Sequence, residues 1–331
     1  MKLDALDSAL IAELDADARQ SFVELGRKLR TPQETVRYRY SSLIERGAIS
    51  GFFTVINPGK LESEVHKVLL RFHNVNENKV EEIIEHLVNH PSVNWVARFD
   101  GLFDVGFTIW VRRIVELSDF ADLLRSKYHR YINRIAFAVN MEAEFLARSP
   151  GSRSKRNRTQ QASYTSPSTA HSVDRTDLII LRELSVDPRR PATNIAANAG
   201  IASETVHARI RRLEQFGVIT GYRIVLNSAA VGEMNYYLIV YLRSASTKRM
   251  KQFVSYCLEH PCISYVIKAL GEWDYELNVE VRDIEEYRAL LMELTSEFSD
   301  IIREYYGMFV SRIHKFSIMP AGLDLSALGK R

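Results

Sequence analysis

Two stretches of this chain set arginines at helical spacing just after a turn. In the later one, Ser203, Thr205, His207, Ala208, Arg209, Arg211 and Arg212 lie off an apolar stripe of Val206, Ile210 and Leu213. In the earlier one, Gln33, Thr35, Arg37, Tyr38, Arg39 and Ser41 lie off Val36, Tyr40 and Leu43. Guanidinium groups on such a face reach phosphate oxygens or take guanine O6 and N7 bidentately, and Ser and Thr hydroxyls bond backbone oxygens. A single exposed arginine is more often a solvated charge. Its recurrence after a short turn, twice over, points to contact with double-stranded DNA.

A second pattern also occurs twice. Asp100, Gly101 and Asp104, and Leu270, Gly271, Glu272 and Asp274, build G-x-x-D turns between two extended segments. Free N–H groups at the glycine and the Asp carboxylate together suit the amine or carboxylate of a small effector. The alternative is a hairpin turn in which Asp bonds its own backbone.

Both patterns recur because the chain repeats itself. Residues 4 to 145 and 174 to 315 align without a gap at a constant offset of 170. Glu34-Thr35-Val36 falls on Glu204-Thr205-Val206, His90-Pro91 on His260-Pro261, and Asp104 on Asp274.

Each unit has the elements needed to position these residues. Leu6, Leu10, Ile11 and Leu14 give a first helix, matched by Leu178, Leu181 and Leu184. Ser21 and Glu24 fit a capping box at the start of a second. The arginine-bearing third helix follows the break at Arg30-Thr31-Pro32, or at Gly200-Ile201-Ala202. This is a helix-turn-helix plan, whose last helix enters the major groove. Downstream, alternating and helical patterns come in the order βαββαβ, the split plan of a ferredoxin-like sheet.

The fold class expected is therefore α+β. Two tandem repeats each place a helix-turn-helix, winged-helix-like domain (1–55 and 173–225) before a ferredoxin-like sensing and dimerisation domain (60–147 and 230–318). Between them, residues 148–172 are rich in Arg, Ser and Thr and lack acids. They read as a flexible basic linker that includes Arg148, Arg153, Lys155, Arg156 and Arg158.

Composition sets bounds on function. With 331 residues and 46% hydrophobic content the chain can bury two cores. The acids at Asp4, Asp7, Glu13, Asp15 and Asp17 exclude a signal peptide at the start, and no apolar run approaches the roughly 18 to 20 residues that cross a bilayer. No membrane partner is expected. Two cysteines, Cys257 and Cys262, argue against a disulfide framework and for a reducing cytoplasm. The net charge of +3 permits nucleic-acid binding without requiring it. The histidines are scattered, and His90 and His260 look like helix-ending residues facing terminal carbonyls. No metal, cofactor or catalytic constellation is expected.

The string Glu204 to Tyr222, its weaker copy Gln33 to Phe52, and the two G-x-x-D turns resemble the Lrp/AsnC family of feast/famine transcription regulators. The resemblance implies that the N-terminal part of each unit binds DNA. It implies that the βαββαβ part dimerises and senses amino acids or related metabolites. Two departures stand out: Pro32 and Ala202 occupy the cap of the third helix where that family usually has Ser, and Ser41 and Ser42 stand where the second copy has Arg211 and Arg212. The alternatives are a sirohaem decarboxylase-like enzyme on the same duplicated fold, or a metabolite-binding module that has lost DNA. The two units are expected to form an intramolecular pseudo-dimer, with higher homo-oligomers beyond it.

Overall fold

A computed structural model describes residues 3–150, 161–166, 168–320 and 322. In each unit three helices come first: α1 (Ala5–Ala16), α2 (Phe22–Leu29) and α3 (Gln33–Glu45), then α6 (Arg175–Val186), α7 (Ala192–Ala199) and α8 (Ser203–Gln215) in the second copy. Local chemistry sets their starts. Asp4 and Asp7 form a reciprocal capping box on α1, Asp174 and Asp177 repeat it on α6, and Ser21 with Glu24 builds the one expected on α2. The third helices begin at Pro32 and Ala202 without a side-chain cap.

The helical parts do not stand apart. Strand β1 (Ile49–Ile56) pairs antiparallel with β7 (Ile219–Leu226) of the other unit, with Phe53 opposite Arg223. Backbone bonds cross between copies as well, from Ala18 N–H to the Tyr222 carbonyl and from Asn57 N–H to that of Val218. One apolar core results, with Leu10, Ile11 and Leu14 packed in the same cluster as Ile180, Leu181 and Leu184.

The sheet domains join more completely. The first contributes β2 (Glu64–Phe72), α4 (Glu77–Asn89), β3 (Val93–Asp100), β4 (Val105–Val111), α5 (Ile114–Tyr128) and β5 (Ile132–Leu146). The second contributes β8 (Met234–Leu242), α9 (Thr247–Glu259), β9 (Ile263–Gly271), β10 (Tyr275–Val281), α10 (Ile284–Glu297) and β11 (Ile302–Phe316). Each βαββαβ order is the one the sequence predicts. The last strand of each unit is long enough to serve both. Strand β5 pairs with β2 through Ile135 and with β9 through Ala143, while β11 pairs with β8 through Tyr305 and with β3 through Ile313. The sheet therefore closes on itself as β2-β4-β3-β11-β8-β10-β9-β5 and back to β2.

Strand alternation divides the packing. Val68, Leu70 and Phe107 face outward under α4 and α5, whereas Leu69, Ala97 and Ala138 face inward with Tyr237, Ile239 and Met308 of the other unit. This is the expected pseudo-dimer, formed within one chain.

The expected linker needs correction. Gln161–Thr165 form a further strand, β6, paired with the outer side of β5 through Tyr164 and Ala143. Arg148 is buried, and the His171 N–H donates to the Lys60 carbonyl. Charge and polarity suggested a solvated tether, but the end of β5 leaves a free edge on which even a polar pentapeptide can pair. Arg153, Lys155, Arg156 and Arg158 lie outside the described residues. Cys257 and Cys262 are both buried free thiols.

Candidate nucleic-acid interface and effector turns

Helices α3 and α8 present matching faces. Thr35, Arg37, Tyr38 and Ser41 are exposed on one, and Thr205, His207, Ala208 and Arg211 on the other, with Gln33 and Ser203 half-buried at the starts. Val36 and Leu43, and Val206, Ile210 and Leu213, are buried beneath them.

Three of the expected contact residues do other work. Arg39 Nη1 donates to Asp4 at 2.7 Å and to Asp7 at 3.1 Å, and Arg209 Nη1 donates to Asp174 at 2.5 Å and Asp177 at 2.9 Å. Arg212 Nη2 adds a bond to Asp177 at 2.9 Å. The carboxylates that cap the first helix of each unit thus also hold its third helix. The hydrogen bonds to Asp4 and Asp174 push both shared guanidinium groups up from their ordinary range. The basic excess expected of the second helix shrinks accordingly. Arg37 and Arg211 are the arginines exposed on the two faces; Arg37 lies 3.8 Å from Glu34 and 5.0 Å over the Phe22 ring.

The G-x-x-D turns are likewise built into the sheet. Asp104 accepts from the Phe72 N–H at 2.6 Å and from Arg71 at 3.1 Å, and Asp274 accepts from the Leu242 N–H at 2.7 Å. Each carboxylate closes the end of a neighbouring strand instead of bonding the backbone of its own turn. The glycines are required by close approach. A Cβ on Gly101 would lie 2.8 Å from Met308, and one on Gly271 would lie 2.5 Å from the Phe137 carbonyl oxygen. Each turn therefore abuts the long strand of the opposite unit. Asp100 and Leu270 remain exposed, and Glu272 pairs with Arg134 across the seam.

His90 and His260 do end α4 and α9, but their rings turn the other way from the expected one. Each Nδ1 accepts from a backbone N–H two residues on, that of Ser92 or Cys262.

Two further features were not found from the sequence. The first is a buried ionic cluster where four domains meet. Arg148 binds Asp15 of α1 through Nε at 3.0 Å and Nη2 at 2.9 Å, donates to the Ile224 carbonyl at 2.7 Å, and approaches Glu280 of β10 at 3.5 Å. Arg223 of β7 donates to the Asp15 and Phe145 carbonyls. Burial alone would raise the Asp15 carboxyl, but Arg148 and then Arg223 hold it below its usual range. At the repeat offset the same positions read Ser185, Ile318, Trp110 and Phe53. That substitution of four charged residues was the available signal.

The second is a chamber of about 120 Å³ beneath the β1/β7 ribbon. Its walls come in repeat-related pairs, among them Lys67 with Tyr237, Trp95 with Tyr265, Asn140 with Val310, and Arg148 with Ile318. It therefore sits on the pseudo-two-fold axis. Among the described residues, no group of His, Cys, Asp and Glu is arranged to hold a metal ion, and no helix is long and apolar enough to cross a membrane.

Paired helix-turn-helix domains over a closed double βαββαβ sheet define a duplicated regulator-type architecture. The chain belongs to the Lrp/AsnC family of transcription regulators: the AsnC-type helix-turn-helix domain matches residues 3–44 and 173–214, and the Lrp/AsnC ligand binding domain matches residues 235–317. It is 37% identical over 125 residues to the proline dehydrogenase transcriptional activator of Rhodobacter capsulatus, covering 38% of this chain and 81% of that protein. It is 33% identical over 133 residues to the regulator AldR of Mycolicibacterium smegmatis, covering 40% of this chain and 78% of the relative. Over its full length the backbone is similar to that of the siroheme decarboxylase NirDL, with a TM-score of 0.61, 13% identity and 98% of each chain covered.

Proposed function

We propose that this protein is a DNA-binding transcription regulator that reads two unlike half-sites, one with α3 and one with α8, and whose sheet domains respond to a small metabolite. The observation that carries the reading is the shared helix-turn-helix core, which holds two recognition helices in a fixed pair with their polar faces exposed. Arg37 and Arg211 are the phosphate or base contacts, flanked by Thr35 and Tyr38, and by Thr205 and His207. Arg39, Arg209 and Arg212 orient the helices from behind.

The G-x-x-D turns remain the proposed place of effector contact. Recognition there falls to Asp100, Leu270 and turn backbone, and to Glu272 if a ligand displaces its Arg134 partner, since the Asp104 and Asp274 carboxylates are engaged in the sheet. Association of several chains belongs to the same proposal and is read by sedimentation. The decisive experiment is selection of bound duplexes from a random pool, with and without a mixture of amino acids. Enrichment of a bipartite, non-palindromic site supports the reading, and no enrichment rejects it.

A second reading, an enzyme, draws on the full-length backbone likeness to a siroheme decarboxylase. It predicts a spectral change when the protein meets sirohaem. The regulator reading predicts none.

A further inference from the structure

The end of α2 carries a strain that its copy in the other unit avoids. Arg30 closes the helix in the left-handed conformation, at φ 51° and ψ 43°. In that conformation the Cβ of any residue other than glycine crowds the following carbonyl oxygen. At the repeat-related position Gly200 closes α7 at φ 68° and ψ 34°, with no Cβ to crowd. An arginine held where glycine is the relaxed choice points to a use for its side chain.

Glu62 shows what such a use looks like when the partner is internal. It is left-handed too, at φ 51°, where the second unit has Gly232 at φ 81°. Its carboxylate approaches Arg112 at 3.6 Å. Arg30 differs, because its guanidinium is exposed and makes no hydrogen bond or ion pair among the described residues.

Arg30 does not stand alone. Arg27, three residues earlier, is also exposed and forms no ion pair among the described residues, and Lys28 beside it is held by Glu13 at 2.8 Å. Glu24, the acid one turn back on α2, is engaged by the Ser21 N–H and hydroxyl, each at 2.8 Å. At the same offset the second unit has Ala197, Asn198 and Gly200 in place of the three cations. The third helices differ in the opposite sense, with Ser41 and Ser42 where the second unit has Arg211 and Arg212. In the first unit positive charge therefore sits ahead of the recognition helix rather than along it.

Position selects the partner. Arg30 lies three residues before Gln33, the first residue of α3, so at most about 10 Å of chain separates it from the helix end that enters the major groove. That groove is about 12 Å wide. A cation so close to its entrance meets the phosphates along its edge rather than the base edges on its floor.

We propose, in an inference that rests on the DNA-binding reading above, that Arg30 and Arg27 form a phosphate clamp present in the first unit alone. The clamp pins α3 to the DNA backbone beside its half-site, whereas α8 depends on its own exposed face. Phosphate contacts fix position and carry no sequence information. The first half-site is therefore the more tolerant of base changes.

The test measures binding of the full chain to a selected duplex and to an unrelated duplex of equal length across a range of salt. Arg30→Gly weakens both by the same factor and lowers the salt slope by about one unit, and adding Arg27→Ala lowers it by about one more. Arg30→Lys keeps the slope. The melting temperature of DNA-free Arg30→Gly stays within about 3 °C of the unaltered chain, since glycine takes the left-handed turn without strain and no internal bond is lost. An unchanged slope overturns the clamp and leaves the cluster to solvent or to an acidic protein surface. A loss confined to the selected duplex overturns it in favour of base contact, and a larger fall in melting temperature overturns it in favour of a brace within the fold. If the unaltered chain binds neither duplex, the DNA-binding reading fails and the clamp with it; binding whose slope Arg30→Gly leaves unchanged rejects the clamp alone.

Discussion

The junctions on the two sides of the pseudo-two-fold axis solve one packing problem with opposite chemistry. On one side Asp15, Arg148, Glu280 and Arg223 bury a network of charges, and on the other Ser185, Ile318, Trp110 and Phe53 offer no charge at all. Phe53 packs its ring against Phe316 at 5.0 Å, and the nearby Thr54 hydroxyl donates to the Leu184 carbonyl at 2.5 Å. An assembly of two identical chains must place the same four residues on both sides. Duplication removes that constraint, and here the two sides have separated into a polar lock and an apolar one. The polar side specifies geometry through many directed bonds. The apolar side stabilises by burial, which is tolerant of small shifts.

The comparison is broken most severely by removing one member of the polar set. Asp15→Ala leaves Arg148 without its main partner in the interior and is expected to cost about 3–5 kcal/mol in denaturant unfolding. A loss within the range of ordinary surface substitutions would show that water or Glu280 already compensates Arg148.

Replacing the whole polar set by its counterpart, Asp15→Ser with Arg148→Ile, Glu280→Trp and Arg223→Phe, is expected to destabilise less than Asp15→Ala alone, since no charge is then stranded. If the quadruple variant is the less stable of the two by the same measurement, shape rather than charge separates the junctions.

The recognition helices extend the contrast to DNA. Arg37→Ala and Arg211→Ala should each reduce the salt dependence of binding by about one unit and leave folding intact. Arg209→Ala should instead lower stability by about 1 kcal/mol, because Asp177 is fully buried beside it. Equal effects on salt slope from Arg209 and Arg211 would contradict the division between bracing and contacting arginines.

A further effect concerns pH. Burial, and then the Glu142 carboxylate, pushes the Glu144 carboxyl up to about 7. A carboxyl held above its unfolded value binds its proton more tightly in the folded state. It therefore destabilises progressively as pH rises from about 4.5 to 7, with the full penalty above that range. Glu144→Gln should raise the melting temperature at pH 8 and leave it nearly unchanged at pH 4. An equal shift at both values would remove charge as the cause.

Much of this architecture was legible because it is local or repeated. Apolar spacing in Leu10, Ile11 and Leu14, the Ser21 and Glu24 box, and the alternation through Val65 to Phe72 each specify an element within a few residues. The bracing role of Arg39 and Arg209 was less accessible, since their partners lie more than thirty positions earlier. Yet Asp4, Asp7 and the arginine recur together in both copies, so the clue was present as a covarying set inside one chain. The closed sheet, β6 and the chamber depend on register between units. No periodicity reports that, because the pairing partners are set by how the units meet.

Strands β5 and β11 each divide their hydrogen bonds between both units, and both units lie on one polypeptide chain. A dissociable pair assembles only in proportion to the square of its chain concentration when scarce, so its supply of paired reading heads collapses as expression falls. Here the partner is tethered at an effective concentration in the millimolar range, and every chain made delivers one complete pair. The supply of pairs then scales linearly with copy number, and dilution does not separate the two members of a pair.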